Sequence, residues 1–445
     1  MESLQRFTLS SEVLQEATAL ITARQRGDAG AANAEAKRDP ASKALGDGVR
    51  SSNLWSEENQ VAGFDGQGFP LNKDDIEEGL GAEKALALLQ SIFAPSAADL
   101  SGPTAFAHMD PPAHWPAVVA GFWAAASNQN LLHPATSPRG VDFDAYAISL
   151  LTPYFGMNGG HMTAGSSLAN LTALWAARKV KGVRRVIAST HAHLSIAKAA
   201  DLLGLELDMY EPSADGSLDL SSGAIDCAGA CVVLTAGTTS AGAIDRLRRP
   251  EGAQWLHIDA AWAGPLRLTT TYSHRLDGVE QADSIALSAH KWLFQAKESA
   301  LVMFSDADAA HGALSFGGAY LASPNIGVLG SKALRGLPLL ATLISLGRRG
   351  IDDILSASMG TAERVARAVR DAPSLKIFAE PQTGVVLWRP ATLDRWDAVR
   401  AALPEGFASE ARLGDTRWFR QVAANPQVNE DAVLDCIARA AHAAQ

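Results

Sequence analysis

The stretch ADSIALSAHKWLFQAKESALVMF, residues 282–304, reads as two apolar strands with Ser288-Ala289-His290-Lys291 set between them. A lysine inside an apolar run is expensive, because burying an unpaired ammonium costs several kcal/mol. Such a lysine needs a chemical partner. The segments on either side have the same character: RRVIAST (184–190), CVVLTAG (231–237) and WLHIDAAW (255–262) are short apolar strands, and HLSIAKAADLLGL (193–205) is helical. Strands alternating with helices predict a mostly parallel sheet with helices on both faces, an α/β fold.

Ligands of a parallel sheet bind beyond the carboxyl ends of its strands. The polar residues just past the strands are therefore the candidates. They are Thr235, Thr238 and Thr239 after one strand, Asp259 after the next, His191 and His193 after a third, and Ser288, His290 and Lys291 after a fourth. Ahead of them, MTAGSSLANLTALWAAR (162–178) places Gly165, Ser166 and Ser167 at the start of a strong helix. Free N–H groups at a helix start suit a phosphate. A lysine, an aspartate, an imidazole and a helix-end anion site together match the needs of pyridoxal phosphate. The lysine forms the imine, the carboxylate pairs with the ring nitrogen, and a flat side chain stacks on the ring. An imine would also explain Lys291, which is then not a bare buried ammonium.

The same segments resemble the group II pyridoxal-phosphate-dependent amino-acid decarboxylases, which include the aromatic-L-amino-acid, glutamate and 2,4-diaminobutyrate decarboxylases. SAHKWLFQ, HIDAAWAGP, LTAGTTSAGAID, HAHLSIAKAADLLGL and GSSLANLTALWAAR carry the resemblance, in the family's order, from about residue 100 to 440. FAHMDPPAHWPAVVAGFWAAASNQN and TRWFRQVAANPQVNEDAV extend it. It implies an aspartate-aminotransferase-like architecture, fold type I of the pyridoxal-phosphate enzymes, working as a homodimer with its active sites at the subunit interface. Lys291 resembles the Schiff-base lysine, with Ser288 and His290 helping to hold the phosphate. Asp259 resembles the ring-nitrogen partner, and Ala261 the small residue near the ring. His193 resembles the stacking histidine, Thr235 the threonine beside the cofactor, and Gly165, Ser166 and Ser167 the phosphate turn. Arg335 falls where the family has an arginine after its mobile loop. His108 and Trp115 are candidates for the substrate pocket. Tyr320, in LSFGGAYLASPN, stands 29 residues after Lys291, where a loop tyrosine of the family donates a proton to the substrate carbon. Relatives that oxidise the amine often carry phenylalanine there, so the tyrosine implies simple decarboxylation. Oxidative decarboxylation to an aldehyde, aminotransfer and carbon–carbon bond formation stay open as alternatives. Leu168 departs from the polar residue common in the family's phosphate-turn helix.

The chain's 445 residues allow two or three domains. The N-terminal arm is expected over 1–95, with helical periodicity at 10–25 and 74–94. The large cofactor-binding domain is expected over 96–350, and a smaller α+β domain over 351–445. In that last part, strands are expected at 374–379, 384–388 and 417–422, and helices at 352–371, 394–402 and 429–443. A net charge of −10 and the absence of a basic run argue against a nucleic-acid partner. Only three cysteines are present, with no disulfide or metal-ligand spacing, and the amino terminus carries no apolar signal core. No run of about 18 apolar residues suggests a membrane span. These features lead us to expect a cytoplasmic enzyme. The sequence leaves the substrate open.

Overall fold

The computed structural model describes residues 79–445 apart from 221–222, 320 and 322–324. The described residues up to Asp99 belong to one compact unit, and Leu100–Gln445 to another. The first unit holds helix α1 (Ala82–Ser96), which starts later than the expected helix at 74–94. The expected helix at 10–25 lies outside the described residues.

The second unit opens with helices α2 (Trp115–Ser127) and α3 (Gly140–Ser149). Strand β1 (Gly159–Thr163) then leads into α4 (Ser166–Lys181), β2 (Arg185–Ser189), α5 (Leu194–Leu203) and β3 (Glu206–Tyr210). Strands β4 (Cys231–Thr235), β5 (Trp255–Asp259), β6 (Ser284–Leu287) and β7 (Ala300–Phe304) complete a seven-stranded sheet. Its order is β1-β7-β6-β5-β4-β2-β3. Neighbours from β6 to β3 pair in parallel, and β7 alone runs against both its neighbours. The 288–299 connection holds no helix that could cross a face of the sheet, so the chain doubles back beside β6.

Alternate residues of each strand enter different cores. Ile187, Val232, Leu234, Leu256, Ile258, Ile285 and Leu287 pack beneath one face with Ile148, Leu151, Phe155 and Leu339. Val186, Ala188, Cys231, Val233, Trp255 and Ala286 pack beneath the other with Ala169, Ala173 and Leu174 of α4 and Ile196 of α5. Strands buried on both faces are apolar at most positions, which is why they stand out in the sequence. Strand β1, with sequence GGHMT, does not. Its glycines exist for close approach, since a Cβ on Gly160 would lie 2.1 Å from the Val302 carbonyl oxygen of β7.

After β7 come α6 (Ala307–Ala313) and the two-residue strands β8 (Ser315–Phe316) and β9 (Asn325–Ile326), paired antiparallel. Helix α7 (Gly336–Asp371) runs through residue 350 and breaks at Gly347, whose φ of 60° and ψ of 178° leave the helical region. Leu339 and Leu340 of its first part join the core beneath the large sheet. Val365 and Val369 of its second part join the carboxy-terminal core. That core underlies a four-stranded antiparallel sheet of order β10-β11-β13-β12, built from β10 (Leu375–Ile377), β11 (Val385–Pro390), β12 (Ser409–Leu413) and β13 (Thr416–Val422). Helices α8 (Trp396–Ala402) and α9 (Glu430–Ala443) pack on it through Trp396, Val433 and Ile437. Strand β12 went unexpected because it is a polar edge strand, SEARL, with no continuous apolar run.

Candidate active site

The carboxyl ends of β2, β4, β5 and β6 bring most of the expected residues together. Lys291 sits in the 288–299 turn. Its amide donates to the Ser288 carbonyl, and the Phe294 amide donates to its own carbonyl. Phe294 and Glu298 adopt left-handed φ values of 56° and 64°, strained for non-glycine residues. The strain is held by packing. The Trp292 ring, next to Lys291, stacks on Trp262 at 4.0 Å between centroids and donates through Nε1 to the Ala423 carbonyl. The Arg335 Nε donates to the Glu298 carbonyl at 2.8 Å, so Arg335 pins this turn from the start of α7.

Part of Lys291 is open to solvent, yet burial is the largest influence on its ammonium and lowers its pKa. The Asp259 carboxylate acts the other way on the same group. Asp259 ends β5, buried, with Oδ1 accepting from the Ala261 amide and Oδ2 from Asn170 Nδ2. His193 is the N-cap of α5. Its Nδ1 accepts the Ser195 amide and lies 2.8 Å from Ser195 Oγ, and burial lowers its pKa. His191 lies outside this set and its buried Nδ1 has no hydrogen-bond partner. His290 donates through Nδ1 to the Ser299 carbonyl, and burial pushes its pKa down to about 4. Gly165 is the N-cap of α4 with φ of 98°, a conformation suited to glycine, and no acidic residue occupies the first turn. The leading N–H groups of a helix have no acceptor within it, and here the Leu168 amide is the first to find one, the Gly165 carbonyl.

His108 is exposed at its surface, but desolvation and the Arg420 charge lower its pKa. Trp115 begins α2 and is 37% exposed. Tyr320 lies outside the described residues. Asn170, His257 and Arg420 were not singled out in the sequence. Asn170 and His257 are buried polar residues behind Asp259. Arg420, on β13, is buried, with its pKa pushed down to about 10 by burial. Its Nε donates to the Thr239 carbonyl and its Nη1 to the Ala107 carbonyl, and its charge acts on both His108 and Lys291. The signal for Asn170 and His257 was present: each is a lone polar residue at an inward position, four after Ser166 on a helix and two before Asp259 on a strand.

The comparisons with known proteins agree with this geometry. A model of the pyridoxal-dependent decarboxylase conserved domain matches residues 76–390. The chain belongs to the pyridoxal-dependent decarboxylase family.

Within that family it is 32% identical over 349 residues to an L-2,4-diaminobutyrate decarboxylase of Rhizobium meliloti strain 1021, covering 70% of each chain. It is 26% identical over 431 residues to a protein of the same name from Acinetobacter baumannii, covering 82% of this chain and 81% of that one. Among solved structures, the glutamate decarboxylase domain of a diaminobutyrate-pyruvate transaminase and L-2,4-diaminobutyrate decarboxylase from Vibrio parahaemolyticus superposes with a TM-score of 0.70. It is 21% identical, with 90% of this chain and 93% of that chain covered. An Oryza sativa TDC structure with PLP and tryptamine superposes with a TM-score of 0.71 at 20% identity, covering 84% and 92%. The fold is thus fold type I, and the chain is a pyridoxal-phosphate-dependent amino-acid decarboxylase.

The residues present fit that cofactor. Thr235 Oγ1, Ser288 Oγ and Ser299 Oγ are buried hydroxyls with no hydrogen-bond partner, all at the strand ends around Lys291. Buried hydroxyls left unmade are costly, and a polar group with oxygen and nitrogen acceptors would satisfy them. When bound, pyridoxal phosphate supplies the electron-accepting ring that makes loss of the carboxylate feasible.

Proposed function

We propose that Lys291, Asp259 and His193 form the reacting centre for decarboxylation of an L-amino acid, with L-2,4-diaminobutyrate the first substrate to test. The observation that carries this reading is the coupling of a desolvated Lys291 to the Asp259 carboxylate at neighbouring strand ends. Desolvation favours the neutral amine, the form that can attack a carbonyl. Asp259, held by two donors, is the anion for the ring nitrogen. Gly165, Ser166, Ser167, Ser288 and His290 serve the phosphate, Thr235 and Ala261 flank the ring, and Tyr320 returns a proton to the substrate carbon. Arg420 is suited to an anionic group of the substrate, because its charge faces Lys291 and carbonyl oxygens occupy only part of its guanidinium.

Two observations support the choice of substrate. Two of the relatives carry the diaminobutyrate name. Asp110, which ion-pairs with Lys297 and acts electrostatically on Lys291, is a carboxylate for a second ammonium. Burial pushes the Asp110 carboxyl up, but the Lys297 hydrogen bond and charge outweigh it and hold the pKa below the ordinary value. The test is a screen of cofactor-loaded protein against a panel of L-amino acids, following CO₂, primary amine and peroxide. Borohydride reduction and peptide mass spectrometry then locate the cofactor. Cofactor attached at Lys291, with CO₂ and 1,3-diaminopropane from L-2,4-diaminobutyrate, is the expected result. Cofactor at another lysine would overturn the site, and turnover of a different amino acid alone would overturn the substrate.

We propose further that the enzyme is a cytoplasmic homodimer. Three free, buried cysteines agree with a reducing compartment. Trp123 of α2 and Ile344 of α7, 51% and 70% exposed on two helices that pack together, give a second copy an apolar surface. No helix among the described residues is long and apolar enough to cross a membrane. Light scattering at micromolar concentration reads the oligomeric state directly.

A further inference from the structure

Trp255, His257 and Asp259 alternate along β5 and so share one face of the sheet, the face covered by α4 and α5. Asn170 of α4 and Ser195 of α5 descend onto them, both fully buried. Their hydrogen bonds form one connected chain whose polarity can be worked out from its fixed members.

Trp255 Nε1 can only donate, and it donates to Ser284 Oγ at 2.8 Å. At the other fixed point, Asn170 Nδ2 has two acceptors, Asp259 Oδ2 at 2.9 Å and Ser195 Oγ at 2.8 Å. A flipped amide would set its oxygen against the carboxylate, so an ionised Asp259 fixes the amide with Oδ1 facing His257 Nε2 at 3.0 Å. That oxygen accepts, so Nε2 of His257 carries the proton. With Nε2 carrying the one proton of a neutral ring, His257 Nδ1 accepts the Ser284 hydroxyl proton at 2.9 Å, although the Ser284 carbonyl oxygen also lies 3.1 Å from it. On the other branch, Ser195 Oγ already accepts from Asn170 and sends its own proton to His193 Nδ1 at 2.8 Å. The Ser195 amide donates to the same nitrogen. His193 is therefore left with its proton on Nε2. Burial lowers the pKa of both imidazoles, that of His257 to about 4, so both are neutral near pH 7.

We propose that Asn170 is a positioning residue that couples the charge of Asp259 to the tautomer of His257 and to the direction of the Ser195 hydroxyl facing His193, so that the carboxylate and the stacking imidazole are set together. This rests on the reading that these two side chains serve the cofactor ring. Without the Asp259 carboxylate the amide would be free to turn, and the His257 tautomer with it, whereas His193 Nδ1 would still accept the Ser195 amide. A buried Asn170 that merely filled space would impose no such coupling.

The test is nitrogen NMR of the holoenzyme labelled with ¹⁵N-histidine, with His193→Gln and His257→Gln spectra assigning the two rings. The wild type should show both as neutral Nε2–H imidazoles. Asn170→Leu should remove the single tautomer at His257, leave His193 as Nε2–H under the Ser195 amide, and weaken pyridoxal phosphate binding about ten-fold or more, the loss expected when a buried carboxylate loses a donor. Ser195→Ala cuts only the His193 branch. It should shift the His193 Nδ1 resonance, which loses the hydroxyl donor but keeps the residue-195 amide, while leaving the His257 tautomer unchanged. An Nδ1–H tautomer at His193 or His257 in the wild type overturns the proposal without any variant, as does a wild-type His257 tautomer in Asn170→Leu. Should Asn170→Leu fail to fold, the wild-type and Ser195→Ala spectra still decide. Borohydride trapping on the same preparation separates the two ideas: cofactor away from Lys291 overturns the site, while the tautomers judge the coupling.

Discussion

At the scale of single residues, the site depends on charges held out of water. Arg420 is the clearest case among residues not singled out in the sequence. It is a buried guanidinium whose Nη1 also lies near Ser409 Oγ, and its charge reaches Lys291. Replacing it by methionine keeps the volume and removes the donors. We expect kcat/KM to fall by about ten- to a hundred-fold, chiefly through KM, as loss of a charged hydrogen bond to substrate requires. Steady-state kinetics on the purified variant check it, and an unchanged KM would remove Arg420 from substrate binding. Tyr320→Phe bears on the reaction outcome. Under its proposed role as the proton donor, its loss should slow amine formation by about 10² to 10⁴-fold. In air, with dioxygen as the oxidant, mass spectrometry of the products should then find aldehyde, together with peroxide and ammonia, in place of amine. Lys291, Asp259 and His193 were legible in the sequence because each follows an apolar strand at a position where strand ends carry ligands. Arg420 was not, because it lies inside a strand of the other sheet and reaches the site only by folding.

At the scale of elements, two glycines hold parts of the site by what they lack. Gly384, just before β11, faces the Trp292 ring, and a Cβ there would lie 2.6 Å from Trp292 Cζ2. Trp292 is the neighbour of Lys291 and is wedged against Trp262. Gly384→Ala should therefore cost about 1–3 kcal/mol of stability through overpacking. It should also weaken cofactor binding, because the displaced ring carries the lysine turn with it. Urea melts and a cofactor titration measure the two effects, and loss of stability with unchanged cofactor affinity would separate the ring from the lysine. Gly160 does the same for β1, where the added methyl would strike the Val302 carbonyl of β7. Strand β1 was invisible to pattern reading because glycines for close approach remove the apolar signal of a strand. Strands β4 to β7 were visible because both their faces are covered.

At the scale of the whole molecule, buried ionisable groups set how stability varies with pH. His257 has its pKa lowered to about 4 by burial, against about 6.5 in an unfolded chain. Between those values the unfolded state binds the extra proton, so the contribution is present above about pH 6.5 and lost as pH falls towards 4. Asp245, whose carboxyl burial pushes up to about 7, has the opposite sign: its native state holds the proton, so its contribution fades as pH rises towards 7. The two partly cancel in the total, and a difference measurement isolates His257. The stability gap between wild type and His257→Gln should shrink by about 2 kcal/mol between pH 7 and pH 5. Urea denaturation at the two values reads it, and a constant gap would mean that the histidine titrates alike in both states.

Strands β2 and β4 to β7, helices α4 and α5, the lysine turn, the glycine-led helix start at Gly165 and the family itself were legible in local pattern, because apolar periodicity and short motifs are properties of neighbouring residues. The antiparallel return of β7 was decided by the tertiary structure. So were the passage of α7 through both cores, the delivery of Arg420 to the lysine and the alignment of Asn170 and Ser195 on Asp259. Each depends on which residues distant in the chain meet. The sequence could place a polar side chain on the inward face of a helix or strand, but only the packed layers show whose hydrogen bond it completes.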